Sequence, residues 1–126
     1  MGVDELRAVV EAQAAARLRG DTATFASYMT HQAVLQLGAV RLPVQRPRGS
    51  RIVGISLIDE TSATGDVQYS GAWSYVLRTR WRLVDGLWCG TAAELVAGTL
   101  RPSWWQRLIH RASRAAEPVP PRRDLS

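Results

Sequence analysis

The sequence has one cysteine, no lysine and no long apolar run. A single cysteine cannot form a disulfide within the chain, and there is no Cys/His cluster to hold zinc. No stretch approaches the roughly 18 apolar residues that a membrane-spanning helix needs. Asp4 and Glu5 stand where a secretory signal has basic residues, and Leu6 breaks the myristoylation pattern. These absences predict a cytoplasmic protein, and nothing in the sequence indicates a metal or another cofactor.

The composition is that of one globular domain with a charged end. Of 126 residues, 46% are hydrophobic and 21% are charged, and chains of this size usually form a single domain. All 16 basic residues are arginine, against 11 acids, which indicates the coding bias of a GC-rich genome. Residues 97–126 hold six arginines and two acids. We therefore predict a folded domain at 1–97, a docking helix at 98–116 and a disordered Pro/Arg tail at 117–126.

Two helices are predicted at the start of the chain. Apolar residues recur at helical spacing from Val3 to Arg19, and Arg17 falls with the charged residues assigned to the flanks and outer face. Gly20 is suited to end this helix, and Asp21 is suited to cap the next one. The second helix is expected to end at Thr30-His31, where the helix dipole favours an imidazolium. Its predicted buried side consists of Phe25, Tyr28 and Met29.

Beyond residue 33 the apolar period shortens towards two, which indicates strands. Residues 33–37 fit either a first strand or a last helical turn. Residues 41–51 contain two prolines and four arginines and are expected to form a basic loop or sheet edge. Residues 52–61 are rich in β-branched side chains and predict a strand, followed by a turn at Thr64-Gly65-Asp66.

The clearest strand signal runs from Val67 to Leu83, with apolar residues at the odd positions and a bend expected at Gly71. Asp85-Gly86 predicts a two-residue hairpin turn into residues 87–95. In that register Leu83 faces Trp88 and Glu94 falls opposite Leu77. Glu94 would then share the aromatic face of the strand, which carries Trp73, Tyr75 and Trp81.

The order of three short segments resembles the nuclear transport factor 2-like superfamily. These are Ala14-Ala15-Ala16-Arg17-Leu18-Arg19-Gly20-Asp21 followed by Phe25, then Ala33-Val34-Leu35, then Trp81-Arg82-Leu83-Val84-Asp85-Gly86-Leu87-Trp88. The resemblance covers about residues 3–96. It implies a cystatin-like α+β cone, with helices packed on one long bent antiparallel sheet, and a homodimer formed through the sheet. The span from Leu37 to Ile52, where many members have a third helix, leaves little room for one.

The superfamily includes SnoaL-like cyclases, ketosteroid isomerase and non-enzymatic association domains. In its enzymes a carboxylate or histidine inside the cone moves a proton, and apolar surroundings favour such a base by raising its pKa. The resemblance makes Glu94 the candidate catalytic residue. The alternative is that the strand ends near Glu94, whose carboxylate then meets solvent or an arginine. The expected ligand pocket is lined by Tyr28, Trp73, Tyr75 and Trp81.

The C-terminal segment predicts a short amphipathic helix from Pro102 to Ala116. It has three possible docking surfaces: its own domain or a second subunit, a groove in another protein, or an anionic membrane surface. Nucleic acid is disfavoured because Arg78, Arg80 and Arg82 lie on the strand face opposite the aromatic residues. The predicted interaction residues of the helix are Trp104, Trp105, Arg107, Leu108, Ile109 and Arg111.

Two functions from different classes follow from these features. The first is a non-enzymatic binding or assembly module, favoured by the short middle segment and the tail. The second is a small lyase, isomerase or cyclase that acts on an apolar carbonyl compound, with Glu94 as general base.

Overall fold

A computed structural model describes residues 2–40, 42–43 and 45–102. The helices precede the strands along the chain, and all the strand pairs are antiparallel. The four long strands follow one another in the order β1-β2-β3-β4, and β5 pairs with the start of β3. The predicted α+β class is therefore confirmed. The elements are α1 (Val3–Arg19), α2 (Thr22–Ser27), α3 (His31–Ala39), β1 (Gly49–Leu57), β2 (Ser62–Ser70), β3 (Trp73–Val84), β4 (Leu87–Leu95) and β5 (Arg101–Pro102).

The first helix has the bounds that its sequence predicts, and the signal that ends it is local. Gly20 adopts the left-handed conformation (φ 74°) at the end of α1. Asp21 then caps α2, accepting hydrogen bonds from the Thr24 hydroxyl at 2.7 Å and the Thr24 backbone N–H at 3.1 Å. These two bonds hold the pKa of Asp21 below its usual value.

The prediction that His31 ends the second helix is wrong. Residues 28–30 lie along the edge of β4, where the Gly90 backbone donates to Tyr28 and accepts from Thr30. This edge pairing ends α2 early. The Thr30 side chain then accepts from the Ala33 N–H and starts α3 at His31. A third helix therefore exists, and it lies before the proline-containing span in which we expected little room for one.

The long alternation from Val67 to Leu83 is two strands rather than one bent strand. The chain reverses after Ser70, and Tyr69 pairs with Tyr75. Because these partners are both odd-numbered, the odd positions of β2 and β3 lie on the same face of the sheet. The alternation of apolar and polar residues in the sequence therefore continues unbroken although the chain reverses its direction after Ser70. The turn predicted at residues 64–66 is wrong as well, since these residues lie within β2 and the chain reverses at residues 58–61.

The predicted hairpin at Asp85-Gly86 is confirmed, with φ values of 52° and 79° at the two turn residues and Leu83 paired with Trp88. Farther from this turn β4 contains one extra residue, so its pairing with β3 shifts between Arg80 and Trp81. The extra residue moves every later side chain of β4 to the opposite face of the sheet.

The core lies between the helices and the odd face of the sheet. Its buried side chains include Leu6, Val10, Phe25, Leu77 and Trp81. Tyr28 and Ile55 are half-buried. Trp73 is 37% exposed at the start of β3 and therefore does not belong to the core.

The predicted docking segment, residues 98–116, begins without a helix, because Arg101 and Pro102 are extended and pair with Ser74 and Trp73. The remainder of that prediction, from residue 103 onwards, lies outside the described residues, as do all six predicted interaction residues and the tail at 117–126.

Candidate functional site

Arg17, near the end of α1, enters a cluster of aromatic side chains. Its Nε donates a hydrogen bond to the Tyr75 hydroxyl at 2.9 Å, and its Nη2 donates to the same oxygen. The central guanidinium carbon lies 5.9, 5.4 and 5.7 Å from the ring centroids of Phe25, Tyr69 and Tyr75. These distances are within the range of cation–π attraction. The guanidinium is thus fixed in place by one hydroxyl and three rings.

The local folding of α1 explains why an arginine reaches this position. The buried side of α1 carries Leu6, Val10 and Gln13 at helical spacing, and Arg17 is the next residue on the same side. Gln13 is held by a hydrogen bond from its Nε2 to the Phe25 carbonyl at 3.4 Å. The assignment of Arg17 to the flanks and outer face of the helix is therefore wrong. The spacing from Leu6 onwards was the signal that could have placed it correctly.

The sheet supplies the other half of the cluster. Tyr69 and Tyr75 are cross-strand partners on β2 and β3, and their ring centroids lie 5.5 Å apart. Both rings are almost completely buried. Burial raises the pKa of Tyr69 well above its usual value, so the Tyr69 hydroxyl stays neutral beside the cation.

Arg17 has no carboxylate partner among the residues that the structure describes. The ion pairs in this part of the chain join Arg19 to Asp21 and Arg78 to Asp66. A half-buried guanidinium usually has a compensating anion, because its desolvation is otherwise unfavourable. The Arg17 site therefore has an uncompensated positive charge in a partly apolar setting.

A cleft of about 440 Å³ opens next to this guanidinium. Arg46 also lines it, and its Nη1 donates to the Arg19 carbonyl at 2.6 Å, at the negative end of the α1 dipole. None of the described lining residues is acidic. The cleft combines two guanidinium groups with apolar surface, so it can bind an oxyanion that carries an apolar part. Its lining residues are Arg17, Gly20, Thr22, Phe25, Leu37, Pro43, Gln45 and Arg46.

The four residues predicted to line one pocket are placed separately. Tyr75 belongs to the Arg17 cluster, whereas Tyr28 lies along the edge of β4. Trp73 pairs with Pro102 at the start of β3. Trp81 is 2% exposed in the core, and its indole N–H meets no acceptor in the described part of the chain. The structure therefore places these four side chains in different parts of the fold.

Glu94 does not lie on the aromatic face, so its predicted placement is wrong. The register shift in β4 sets Glu94 opposite Arg78, and its side chain is exposed. Arg78 is already bound to Asp66 through Nε at 2.8 Å and Nη2 at 2.9 Å. These bonds, the Asp66 charge and the Glu94 charge raise the pKa of Arg78. The apolar setting that suits a catalytic base is therefore absent around Glu94.

Neither a family model, nor a curated protein, nor a solved structure matches the chain. The resemblance to the nuclear transport factor 2-like superfamily therefore stays a prediction. Among the described residues, no helix is long and apolar enough to cross a membrane. The same residues include no group of three or more His, Cys, Asp or Glu side chains that could hold a metal ion.

Proposed function

We propose that this protein is a non-enzymatic binding module on a nuclear transport factor 2-like scaffold, and that the cleft beside Arg17 is its ligand site. One observation carries the proposal. The Arg17 guanidinium is held by Tyr75 among three aromatic rings and has no carboxylate partner among the described residues.

The chemistry of the cleft defines the class of ligand. A carboxylate or phosphate matches the planar guanidinium of Arg17, which uses one side for Tyr75. Phe25, Leu37 and Pro43 offer apolar surface to the remainder of the molecule. A volume of about 440 Å³ falls in the range of small-molecule sites, roughly 300–1,000 Å³. The proposed ligand is thus a small oxyanion with an apolar body.

The enzymatic alternative has weaker support. A lyase or isomerase of a carbonyl compound needs a general base within hydrogen-bond reach of its substrate. Glu94 is exposed on the other face of the sheet, and His31 is exposed at the start of α3. The described lining of the Arg17 cleft contains no carboxylate and no imidazole. This cleft is equipped to hold an anion rather than to remove a proton from carbon.

The test is a calorimetric titration with hexanoate, benzoate and phenyl phosphate, and with hexanol as a neutral comparison. Wild-type protein should bind at least one of the anions and not hexanol. Arg17→Met should abolish that binding, because it keeps an unbranched side chain but removes the charge. Arg17→Lys should weaken it, since a point charge replaces the planar fork.

Arg19→Met is the matched control, because Arg19 is exposed and pairs with Asp21 instead of lining the cleft. It should leave the affinity unchanged. Equal affinities in Arg17→Met and wild-type protein would refute the proposed site. Circular dichroism and thermal melting of each variant would separate loss of binding from loss of folding.

A further inference from the structure

A second cleft lies at the end of the sheet where β1 turns into β2. We call it the sheet-end cleft and define it by Leu57, Ile58, Asp59, Glu60, Leu83 and Trp88, with Thr61 completing its lining. Its volume is about 700 Å³. Leu57 is 47% exposed and Ile58 is 63% exposed. Adjoining exposed apolar side chains of this kind are typical of an interaction surface.

The charge of the sheet-end cleft is opposite to that of the whole chain. Its described charged residues are Asp59 and Glu60, in a protein with a net charge of +5. A hydrogen bond from the Thr61 backbone holds the pKa of Asp59 below its usual value, so this carboxylate is ionised at neutral pH. The occupant that fits is therefore apolar and basic.

The chain itself contains a segment with that chemistry. Residues 103–126 hold five arginines against two acids. The first part of the segment interleaves large apolar side chains with cations. These residues are Trp104, Trp105, Arg107, Leu108, Ile109 and Arg111. Tryptophan and arginine are also the residues that most often anchor protein interfaces.

Covalent geometry keeps residues 104–109, the apolar first part of this segment, away from the cleft of their own domain. Pro102 pairs with Trp73, whereas Leu83 lies ten residues farther along β3, about 33 Å away at the usual rise of a strand. Trp104 follows Pro102 by two residues and extends at most about 7 Å beyond it. Ile109 extends at most about 25 Å. Residues 104–109 seated in the sheet-end cleft must therefore come from another copy.

We propose that residues 104–111 of one copy dock in the sheet-end cleft of a second copy, and that reciprocal docking forms a homodimer. Two such contacts related by a twofold axis close the assembly. This arrangement replaces the expected pairing of two sheet faces. The outer face also carries Arg80 and Arg82 along β3, and two copies of these arginines would repel each other. The proposal does not depend on the ligand at Arg17.

Sedimentation velocity of the full chain tests the proposal, with Ile58→Arg as the main variant. Ile58 is exposed in a turn, so the substitution puts a like charge against the incoming arginines without opening the core. Dimer affinity should fall about tenfold or more, as when an interface anchor is lost. Leu35→Arg on α3 is the matched control, because Leu35 is 61% exposed and lies outside the cleft. It should sediment like wild-type protein.

A mixing experiment tests docking between copies. Ile58→Arg keeps its tail, and a Trp104→Ala/Trp105→Ala chain keeps its cleft. Each should be a weak dimer alone, whereas an equimolar mixture should associate more strongly through one intact contact. Asp59→Arg/Glu60→Arg should likewise regain affinity when it is mixed with Arg107→Glu/Arg111→Glu.

Three outcomes would overturn the proposal. One is a wild-type chain that stays monomeric at every soluble concentration. The second is a Trp104→Ala/Trp105→Ala chain that dimerises like wild-type protein, which would leave the sheet face as the interface. The third is a pair of results that together would assign the tail to membranes. The Trp104→Ala/Trp105→Ala chain would no longer pellet with vesicles of anionic phospholipid, and Ile58→Arg would dimerise like wild-type protein.

Discussion

Arg17 and Tyr75 are 58 positions apart in the chain and meet through a hydrogen bond of 2.9 Å. The bond joins the end of α1 to the β2–β3 hairpin, where Tyr75 pairs with Tyr69. It therefore links the helical layer to the sheet and also sets the orientation of the guanidinium beside the cleft. Stability and ligand binding should depend on the same contact.

Tyr75→Phe removes this hydroxyl and keeps the ring. We expect a loss of about 1.5–3 kcal/mol in the free energy of unfolding, the contribution of a hydrogen bond to a charged group. Anion affinity should fall too, because Arg17 loses the group that orients it. Urea titration and calorimetry measure the two effects. Tyr69→Phe is the control, because the Tyr69 hydroxyl has no hydrogen-bond partner among the described residues. Equal losses in the two variants would contradict the assigned role of Tyr75.

The buried Tyr69 hydroxyl predicts a specific dependence of stability on pH. Burial raises the pKa of Tyr69 above that of the unfolded chain, which is about 10. The folded protein therefore keeps a proton that the unfolded chain loses. This contribution to stability is fully present below about pH 10 and is lost as the pH rises beyond that value.

Urea titrations between pH 8 and about pH 11 would measure that loss. Tyr69→Phe should flatten the alkaline decline, while leaving the acid branch unaltered. A wild-type and a Tyr69→Phe curve with the same alkaline slope would show that Tyr69 is not the group responsible.

Local sequence signals predicted the elements that depend on neighbouring residues alone. The bounds of α1 and the turn at Asp85-Gly86 belong to this class, since a glycine or a turn dipeptide determines each. Predictions that needed long-range pairing failed. The reversal after Ser70 was hidden because Tyr69 and Tyr75 share a face. The register of Glu94 failed because nothing in the local pattern of β4 marks the shift beside Trp81.

The candidate site was less predictable than the fold. The aromatic face of the strand predicts Tyr75 in a ligand pocket but does not indicate its partner. A charged arginine in an amphipathic helix is typical of the exposed face, whereas the helical spacing that runs from Leu6 to Arg17 places this one on the side of the buried residues. Cation–π contacts with Phe25 and Tyr69 depend on two distant segments meeting, and such a meeting has no local signature.

We predict that the fold needs glycine at residue 65, because the Trp81 side chain lies too close for a Cβ there. A Cβ at residue 65 would lie 3.2 Å from the Trp81 Nε1 and 3.6 Å from a Val10 methyl carbon. Gly65→Ala should therefore overpack the core and reduce the free energy of unfolding by about 1–3 kcal/mol. Gly54→Ala is the control, because a Cβ there meets nothing within 4 Å. If urea titration gave the same stability for both variants, this close approach would not constrain the fold.

Glu94→Gln tests whether the exposed carboxylate contributes to function. Glu94 faces Arg78 on the outer side of the sheet, away from the Arg17 cleft. We expect the melting temperature and the anion affinity to stay unchanged. Asp66→Asn should instead lower the melting temperature, because Arg78 loses a charged partner that it binds through two nitrogens. Loss of anion binding in Glu94→Gln would contradict the placement of the ligand beside Arg17.

Two substitutions of Trp81 separate what its buried apolar volume contributes to stability from what its indole N–H contributes. It is 2% exposed, and its Nε1 has no acceptor among the described residues. Trp81→Ala should lower the free energy of unfolding by about 3–5 kcal/mol, since it removes a large buried side chain and leaves a cavity. Trp81→Phe should be less harmful, because it keeps most of the apolar volume and deletes a buried donor that lacks a partner. Denaturant titration of both variants measures the two losses in the free energy of unfolding. An alanine variant that lost less than about 1 kcal/mol would mean that this part of the sheet face is not part of the core.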